Sequence, residues 1–407
     1  MLHLRKTLIN ILSVAASDVV NRGFFFAFNI VVARNVPPEQ FGYYALSMSI
    51  GVWLWGVVDG GLTSHGTKLV AQGVDPSELI GKIIGTRIVI FFLLSLIYGG
   101  LIFFLPVSIV EKAIYTSALL YTFAINLFPA WVARGQHDNI GYASSYMIVA
   151  IVGVLALFIL IVNGFSFNAA EAIVARNGAW LIGAIIALIF IARRYSCKVV
   201  LATDFKILRH TIPLGGAAIT YTLIPLMPFI AMRMCGWNED LGQYGALWQI
   251  QQILLVGAGV LPIVLLPSYA KAISAGEEFV WKKVVADHFR IVTVVAFVVC
   301  VAYWLAGPGL VNIVYGDAYH GATMYLFPFV LALMFAFFRL SIDSILIVNG
   351  SYKKMLANGI MVVLVELAIV WTASEPLLLV WGYVVAEMLL AIVNGALAYR
   401  LVRTRKA

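Results

Sequence analysis

The sequence predicts an all-α, polytopic membrane protein: about twelve transmembrane helices in two six-helix bundles related by a parallel pseudo-two-fold repeat. Three observations carry that reading. Of 407 residues, 62% are hydrophobic and 11% charged, with a mean hydropathy of +0.98, which is more apolar surface than a soluble domain hides. Apolar runs of roughly 20 residues, enough to cross a hydrocarbon core as a helix, recur along the whole chain. A short pattern also returns at a fixed offset: Glu39, Gly42 and Tyr44 in EQFGYYAL reappear as Glu239, Gly242 and Tyr244 in EDLGQYGAL.

The first six spans are predicted near 9–33, 41–63, 84–106, 113–133, 141–163 and 172–192. The second six are predicted near 212–235, 243–267, 289–313, 321–348, 356–373 and 377–399. An even number per half gives both halves one orientation, hence a parallel repeat. Lys6 and Lys206 open the two halves and Lys82 and Lys282 recur within them. The longest polar stretch, Arg193 to Arg209, separates them and places the bundles at 1–200 and 201–407. A second polar stretch, Lys271 to Asp287, is predicted as a short amphipathic helix at the membrane surface.

Lysine and arginine fall in alternate loops, which orients the chain. Lys68, Lys82, Arg134, Arg193, Lys198, Lys271 and Lys353 lie on one side with both terminal clusters, against only Arg34, Lys112 and Arg233 on the other. Both termini are therefore expected in the cytoplasm. The net charge of +8 is accounted for by this asymmetry and by anionic membrane lipids, with no need of nucleic acid as a partner. Asp18 and Arg22 interrupt the first apolar run, so it is read as a span and not as a cleaved signal. Three scattered cysteines suggest neither a disulfide framework nor a metal site. Nothing matches a phosphate-binding loop or a zinc-hydrolase motif, and no loop looks large enough for a catalytic domain, so catalytic residues, metals and resident cofactors are expected to be none.

Function is sought in charges inside the spans. An arginine at mid-membrane costs about 2.5–3.5 kcal/mol on insertion scales, so Arg22, Arg87, Arg176, Arg290 and Arg339 must face protein, water or an anionic ligand, although Arg87 and Arg290 lie near helix ends and can snorkel. Asp18 with Arg22, and Arg339 with Asp343, stand one helical turn apart. Each pair is either an internal ion pair or an arginine for an anionic substrate beside a carboxylate for coupling. Glu366, Glu387 and Asp59 are further acids that either bind a coupling proton or sodium ion or pair with buried arginines. Trp248, Gln249, Gln251 and Gln252 on the eighth span serve either as interhelical glue or as sugar contacts. Pro213, Pro225 and Pro228 should bend the seventh span, which also carries Tyr221.

In order along the chain, Ala33-Arg34, Glu39-Gln40-Phe41-Gly42-Tyr43-Tyr44, Asp59-Gly60-Gly61-Leu62, Val314-Tyr315-Gly316-Asp317-Ala318-Tyr319 and Asn349-Gly350-Ser351-Tyr352-Lys353 resemble the Wzx-type oligosaccharide flippases. These belong to the multidrug/oligosaccharidyl-lipid/polysaccharide exporter superfamily. The resemblance implies two six-helix bundles around a cationic cavity that opens alternately to either face of the bacterial inner membrane. It implies an undecaprenyl-diphosphate-linked oligosaccharide as substrate for O-antigen or other surface polysaccharide. Arg22, Arg87, Arg176, Arg290, Arg339, Trp248, Tyr221 and Gln252 would be substrate-binding, and Asp18, Asp59, Asp343 and Glu366 ion-coupling. Whether a polysaccharide polymerase and a chain-length regulator are partners stays open. Lipid II flippases of the same superfamily have fourteen spans, so a peptidoglycan precursor is not expected. The rivals are a cation-coupled multidrug extruder, whose cavity should be rich in carboxylates, and a membrane polysaccharide polymerase.

Overall fold

The computed structural model describes residues 22–162, 164, 167–274 and 278–404, of which 210, 257, 259–274, 278–282 and 404 are described as backbone alone. Asp18 lies outside the described residues. Helix α1 covers 22–35 and is followed by α2 (Pro38–Asp59), α3 (Leu62–Ala71), α4 (Pro76–Phe104), α5 (Ile109–Leu127), α6 (Ala130–Gly135), α7 (Asn139–Val162) and α8 (Ala169–Arg194). Next come α9 (Phe205–Leu223), α10 (Leu226–Met234), α11 (Asn238–Ser274), α12 (Glu278–Tyr315), a 3-10 segment (Asp317–Tyr325), α13 (Leu326–Val348), α14 (Tyr352–Thr372) and α15 (Pro376–Thr404). Among the described residues there is no strand. Nine of these stretches are long and apolar enough to cross a membrane, and the broken pair α9 and α10 makes a tenth. The chain is a multi-pass, all-α membrane protein.

Local chemistry sets the helix ends. Pro38 opens α2 with a pre-set φ and Glu39 complements its first turn. The Asp75 carboxylate accepts the Ser77 N–H at 2.8 Å to start α4, and the Ser108 hydroxyl accepts the Glu111 N–H at 3.2 Å to start α5. Asn168 and Glu171 form a reciprocal capping box at α8. Breaks have equally local causes. Between α2 and α3 the backbone turns through left-handed Gly60 (φ 50°) and Gly61 (φ 88°). Pro129 precedes α6 and Pro225 precedes α10. Of the spans expected near 41–63, 113–133 and 212–235, the first is α2 with the start of α3 and the second is α5 continuing into α6 as one crossing stretch, while the third is a bent pair, α9 meeting α10 at 46°. Hydropathy records how apolar a segment is and not where its axis turns.

Two compact units form, one ending at Thr222 and the other beginning at Leu223. The boundary falls beyond the polar stretch near 200 because the chain after α8 stays with the first unit. Residues 197–204 run extended along α4: the Ala202 N–H donates to the Gly81 carbonyl at 3.3 Å, and the Asp204 N–H to the Thr86 hydroxyl at 2.9 Å. The approach is so close that a Cβ on Gly81 would stand 1.9 Å from the Val200 carbonyl oxygen, and one on Gly85 2.1 Å from that of Ala202. The segment Lys271–Asp287 is likewise not a separate surface helix. Helix α11 runs on to Ser274 and α12 begins at Glu278, each extending its span with helix-forming residues.

Inside each unit the helix pairings repeat. In the first, α5 packs on α2, α4 and α8, and α7 packs on α8; in the second, α13 packs on α11, α12 and α15, and α14 on α15. The recurring tyrosine has a recurring task. Tyr44 donates to Asn29 on α1 at 2.7 Å, and Tyr244 donates to the Pro225 carbonyl, before α10, at 3.1 Å.

Candidate functional site

The charged centre of the first unit is built at helix breaks. Asp59, the last residue of α2, accepts the N–H groups of Gly61 and Thr63 at 3.1 Å each, and the Thr63 hydroxyl at 2.7 Å. It also accepts Arg87, about three turns into α4. Arg87 further donates to the Thr63 hydroxyl at 2.5 Å and the Asn126 carbonyl at 3.3 Å. Both charges are buried. The pair therefore fixes the α2–α3 break against α4 and the end of α5, with its charges spent on one another.

Arg176 on α8 is different. It is 6% exposed, and its guanidinium lies over the ring of Phe25 at 4.9 Å and of Tyr121 at 5.8 Å. It donates to the neighbouring Asn177 side-chain oxygen at 3.1 Å, while Asn177 donates to the Ser117 carbonyl at 2.9 Å. Its Nε bonds nothing, and no carboxylate among the described residues meets it. Each desolvated aromatic face contributes about 2 kcal/mol or somewhat more and neutralises no charge. Removing a guanidinium from water costs several kcal/mol, so positive charge is left over here. Phe25 and Tyr121 are placed by Trp180, against which they lie at 5.3 and 5.8 Å. Arg22, exposed on α1, reaches Tyr121 electrostatically.

The second unit holds a denser cluster. Arg339 on α13 donates through Nε to Glu387 Oε2 at 2.7 Å and through Nη2 to Glu387 Oε1 at 3.3 Å. Its Nη1 donates to Asp343 at 3.3 Å. Asn394 donates to the other Asp343 oxygen at 2.8 Å and accepts Asn358 at 2.8 Å. On α14, Glu366 is 0% exposed, and neither of its oxygens has a hydrogen-bond partner. Gln251 on α11 donates to the Tyr383 hydroxyl at 2.8 Å, and Trp248 meets the Tyr383 ring edge-on at 6.1 Å.

The sequence-predicted residues thus separate. Arg339, Asp343 and Glu366 share the second unit's core; Asp59 and Arg87 pair in the first; Arg176 stands apart with Phe25. Arg290 pairs with Asp287 at 3.1 Å, and its side chain is 80% exposed early in α12. Tyr221 on α9 and Gln252 on α11 are half-buried. Glu387, expected either to bind a coupling ion or to pair with a buried arginine, pairs with Arg339; Tyr121, Tyr383, Asn177 and Asn394 were not singled out. Tyr383, Glu387 and Asn394 recur at i, i+4 and i+11, a polar stripe on an otherwise apolar helix, and that stripe was the available signal.

Outside the spans, Asp138 closes one end of the first unit by accepting Arg194 at 2.5 Å, the Tyr195 hydroxyl at 2.6 Å and the Gly141 N–H at 2.9 Å. Burial opposes its ionisation, but these bonds outweigh it and hold the carboxyl down at about 2.

The family model described as polysaccharide biosynthesis protein matches residues 7–273. Comparison with curated proteins finds no match. Solved structures share the fold. An inward-facing multidrug resistance MATE family transporter of the MOP superfamily is 14% identical over 98% of both chains, with a TM-score of 0.69. The eukaryotic MATE transporter AtDTX14 is 12% identical over 99% of this chain and 98% of its own, with a TM-score of 0.72. A MOP superfamily transporter from Pyrococcus furiosus, whose binding pocket is described as of reverse polarity, is 12% identical over 98% of this chain and 96% of its own, with a TM-score of 0.69. The chain belongs to the polysaccharide biosynthesis protein family, and its fold is shared with transporters of the MOP superfamily.

Proposed function

We propose that this protein flips an undecaprenyl-diphosphate-linked oligosaccharide from the cytoplasmic to the periplasmic leaflet of a bacterial inner membrane, by ion-coupled alternating access with both termini cytoplasmic. The observation that carries the proposal is Arg176: a buried guanidinium set over aromatic faces, with no bonded carboxylate among the described residues. That arrangement suits a diphosphate, which brings negative charge and oxygen acceptors to a planar donor. Arg22 adds a second positive group near Tyr121, and the aromatic rings around Arg176 offer apolar sugar faces a surface. The family assignment supplies the polysaccharide context.

A multidrug extruder of organic cations is the second reading, favoured by the MATE neighbours and by the acids of the second unit. The neighbours carry the fold at 12–14% identity, and an organic cation would be repelled by Arg176. The Pyrococcus furiosus relative, with its pocket of reverse polarity, is a precedent for one fold serving opposite charges.

The test is lipid extraction from a strain lacking this gene, with mass spectrometry of diphosphate-linked oligosaccharides and assignment of the leaflet that holds them. Completed units trapped on the cytoplasmic face are expected, and complementation by Arg176→Ala should fail to release them. Absence of accumulation in the deletion strain would refute the flippase reading, and units reaching the periplasmic face unpolymerised would point to a polymerase.

A further inference from the structure

We propose that Glu366 is a proton-binding site of the second unit, carrying its proton beside Glu387 and exchanging it once per transport cycle; this rests on the reading of the chain as a coupled transporter. Two independent observations point to a missing ligand. Glu366 is 0% exposed with both oxygens unbonded, and the Gln251 side-chain oxygen, also in this core and 0% exposed, has no partner either. A buried carboxylate without a hydrogen bond or counter-charge is not sustained in an apolar interior, whereas a neutral carboxylic acid is.

The charge count around Glu366 leads to the same place. Glu387 is the charged group that acts on it most, and both Glu387 oxygens are already committed to Arg339. Arg339 also donates to Asp343, whose other oxygen is filled by Asn394. One guanidinium therefore serves two carboxylates, and the third acid, Glu366, receives no bond from it. The titratable groups that interact with Glu366 are Glu387 and Tyr383 on α15 and Tyr244 on α11; α13, which also packs on α14, carries Arg339 and Asp343. Helix α10, which also packs on α14, brings Arg233 near its end as its one charged side chain. Among the described residues no group of three acid, histidine or cysteine side chains is placed to hold a metal ion, so a proton is proposed, and a sodium ion is the alternative that the test below distinguishes. The step makes and breaks one O–H bond: the Glu366 proton leaves to water, and another is taken from water later, with no other bond changed.

Infrared difference spectroscopy of the purified full chain in lipid, titrated with pH in H₂O and D₂O and without substrate, tests this. The expected result is a protonated-carboxyl C=O band that shifts in D₂O, disappears as pH rises, and is absent in Glu366→Gln. A band retained in Glu366→Gln would overturn the proposal, as would a band removed by sodium at constant pH. Should the Gln variant not fold, Glu366→Asp should displace the band and its midpoint, and an unchanged spectrum would overturn the proposal equally. Because no substrate is present, failure here leaves the carrier reading standing on the lipid analysis. Conversely, Arg176→Ala should lose export while keeping the band.

Discussion

Replacing Arg339 with methionine removes the counter-charge of two buried carboxylates at once, and the expected loss follows from the geometry. Arg339 makes two bonds to Glu387 and one to Asp343, with side chains 10%, 3% and 8% exposed. Breaking a buried pair by deleting one partner typically costs about 3–5 kcal/mol, because the survivor stays buried and uncompensated. For a folding unit of this size, each kcal/mol lowers the melting temperature by about 2–4 °C. Arg339→Met should therefore melt roughly 6–20 °C below wild type in the same detergent and lipid mixture, followed by intrinsic fluorescence. The triple variant Arg339→Met, Asp343→Asn, Glu387→Met leaves no charge behind, and an ion pair exchanged for apolar side chains is near break-even. It should recover to within about 2 kcal/mol of wild type, a non-additivity expected of groups in one network. If the single variant melts within about 2 °C of wild type, the three side chains do not depend on one another as their bonds imply. If the triple variant is as unstable as the single one, the cluster's contribution is not the charge balance argued here.

Three further outcomes are expected. Arg176→Lys should retain part of surface-polysaccharide export and Arg176→Gln should lose about ten- to a hundredfold, the worth of a charge-assisted bond of roughly 1.5–3 kcal/mol; equal export by the two would remove the case for an anion at this position. Gly81→Ala should lower the melting temperature by an amount set by an overpacking cost of about 1–3 kcal/mol, since its Cβ would stand 1.9 Å from the backbone oxygen of Val200; an unchanged melting point would mean that 197–204 is not seated on α4. For Asp138, the folded carboxyl at about 2 lies below the ordinary value of about 3.9. Its contribution is thus complete above about pH 4 and is lost as pH falls through about 2. Unfolding curves of wild type and Asp138→Asn should converge over that interval, and a constant separation down to about pH 2 would contradict the sign.

What the sequence revealed and what it hid follow from the range of each interaction. Spans are legible because crossing a bilayer demands a long local run of apolar residues. Arg339 and Asp343 are legible as partners because one helical turn is a local distance. Glu387 is 48 positions from Arg339 and Asp59 is 28 from Arg87, so each acid could be named as a candidate, and only the packing of α13 on α15 or of α2 on α4 supplies the pairing. The helix breaks occupy a middle ground. Gly60-Gly61, Pro129 and Pro225 stood in plain view, but an apolar run on both sides of each made a continuous span the simpler reading. The fate of 197–204 was hidden for another reason: a polar stretch reads as a linker, and nothing local tells that Gly81 and Gly85, one turn apart on α4, leave a bare strip for its backbone.

The described charges also divide unevenly, and the division bears on how the proposed transport would work. In the first unit, Arg87 is neutralised by Asp59 and Arg176 meets no acid among the described residues, which leaves a positive surplus in its core. In the second, Arg339 is bonded to Asp343 and Glu387 while Glu366 is buried without a bond, which leaves a negative surplus unless protons are taken up. Neither surplus stabilises the fold, because a buried charge without a partner is a cost that apolar side chains of similar volume would avoid. Retaining one of each sign is understandable where the positive one is satisfied by an anion and the negative one by a proton, each present during only part of the cycle. The two then become experimentally separable: Arg176 variants should change what is carried, and Glu366 variants should change how transport depends on pH.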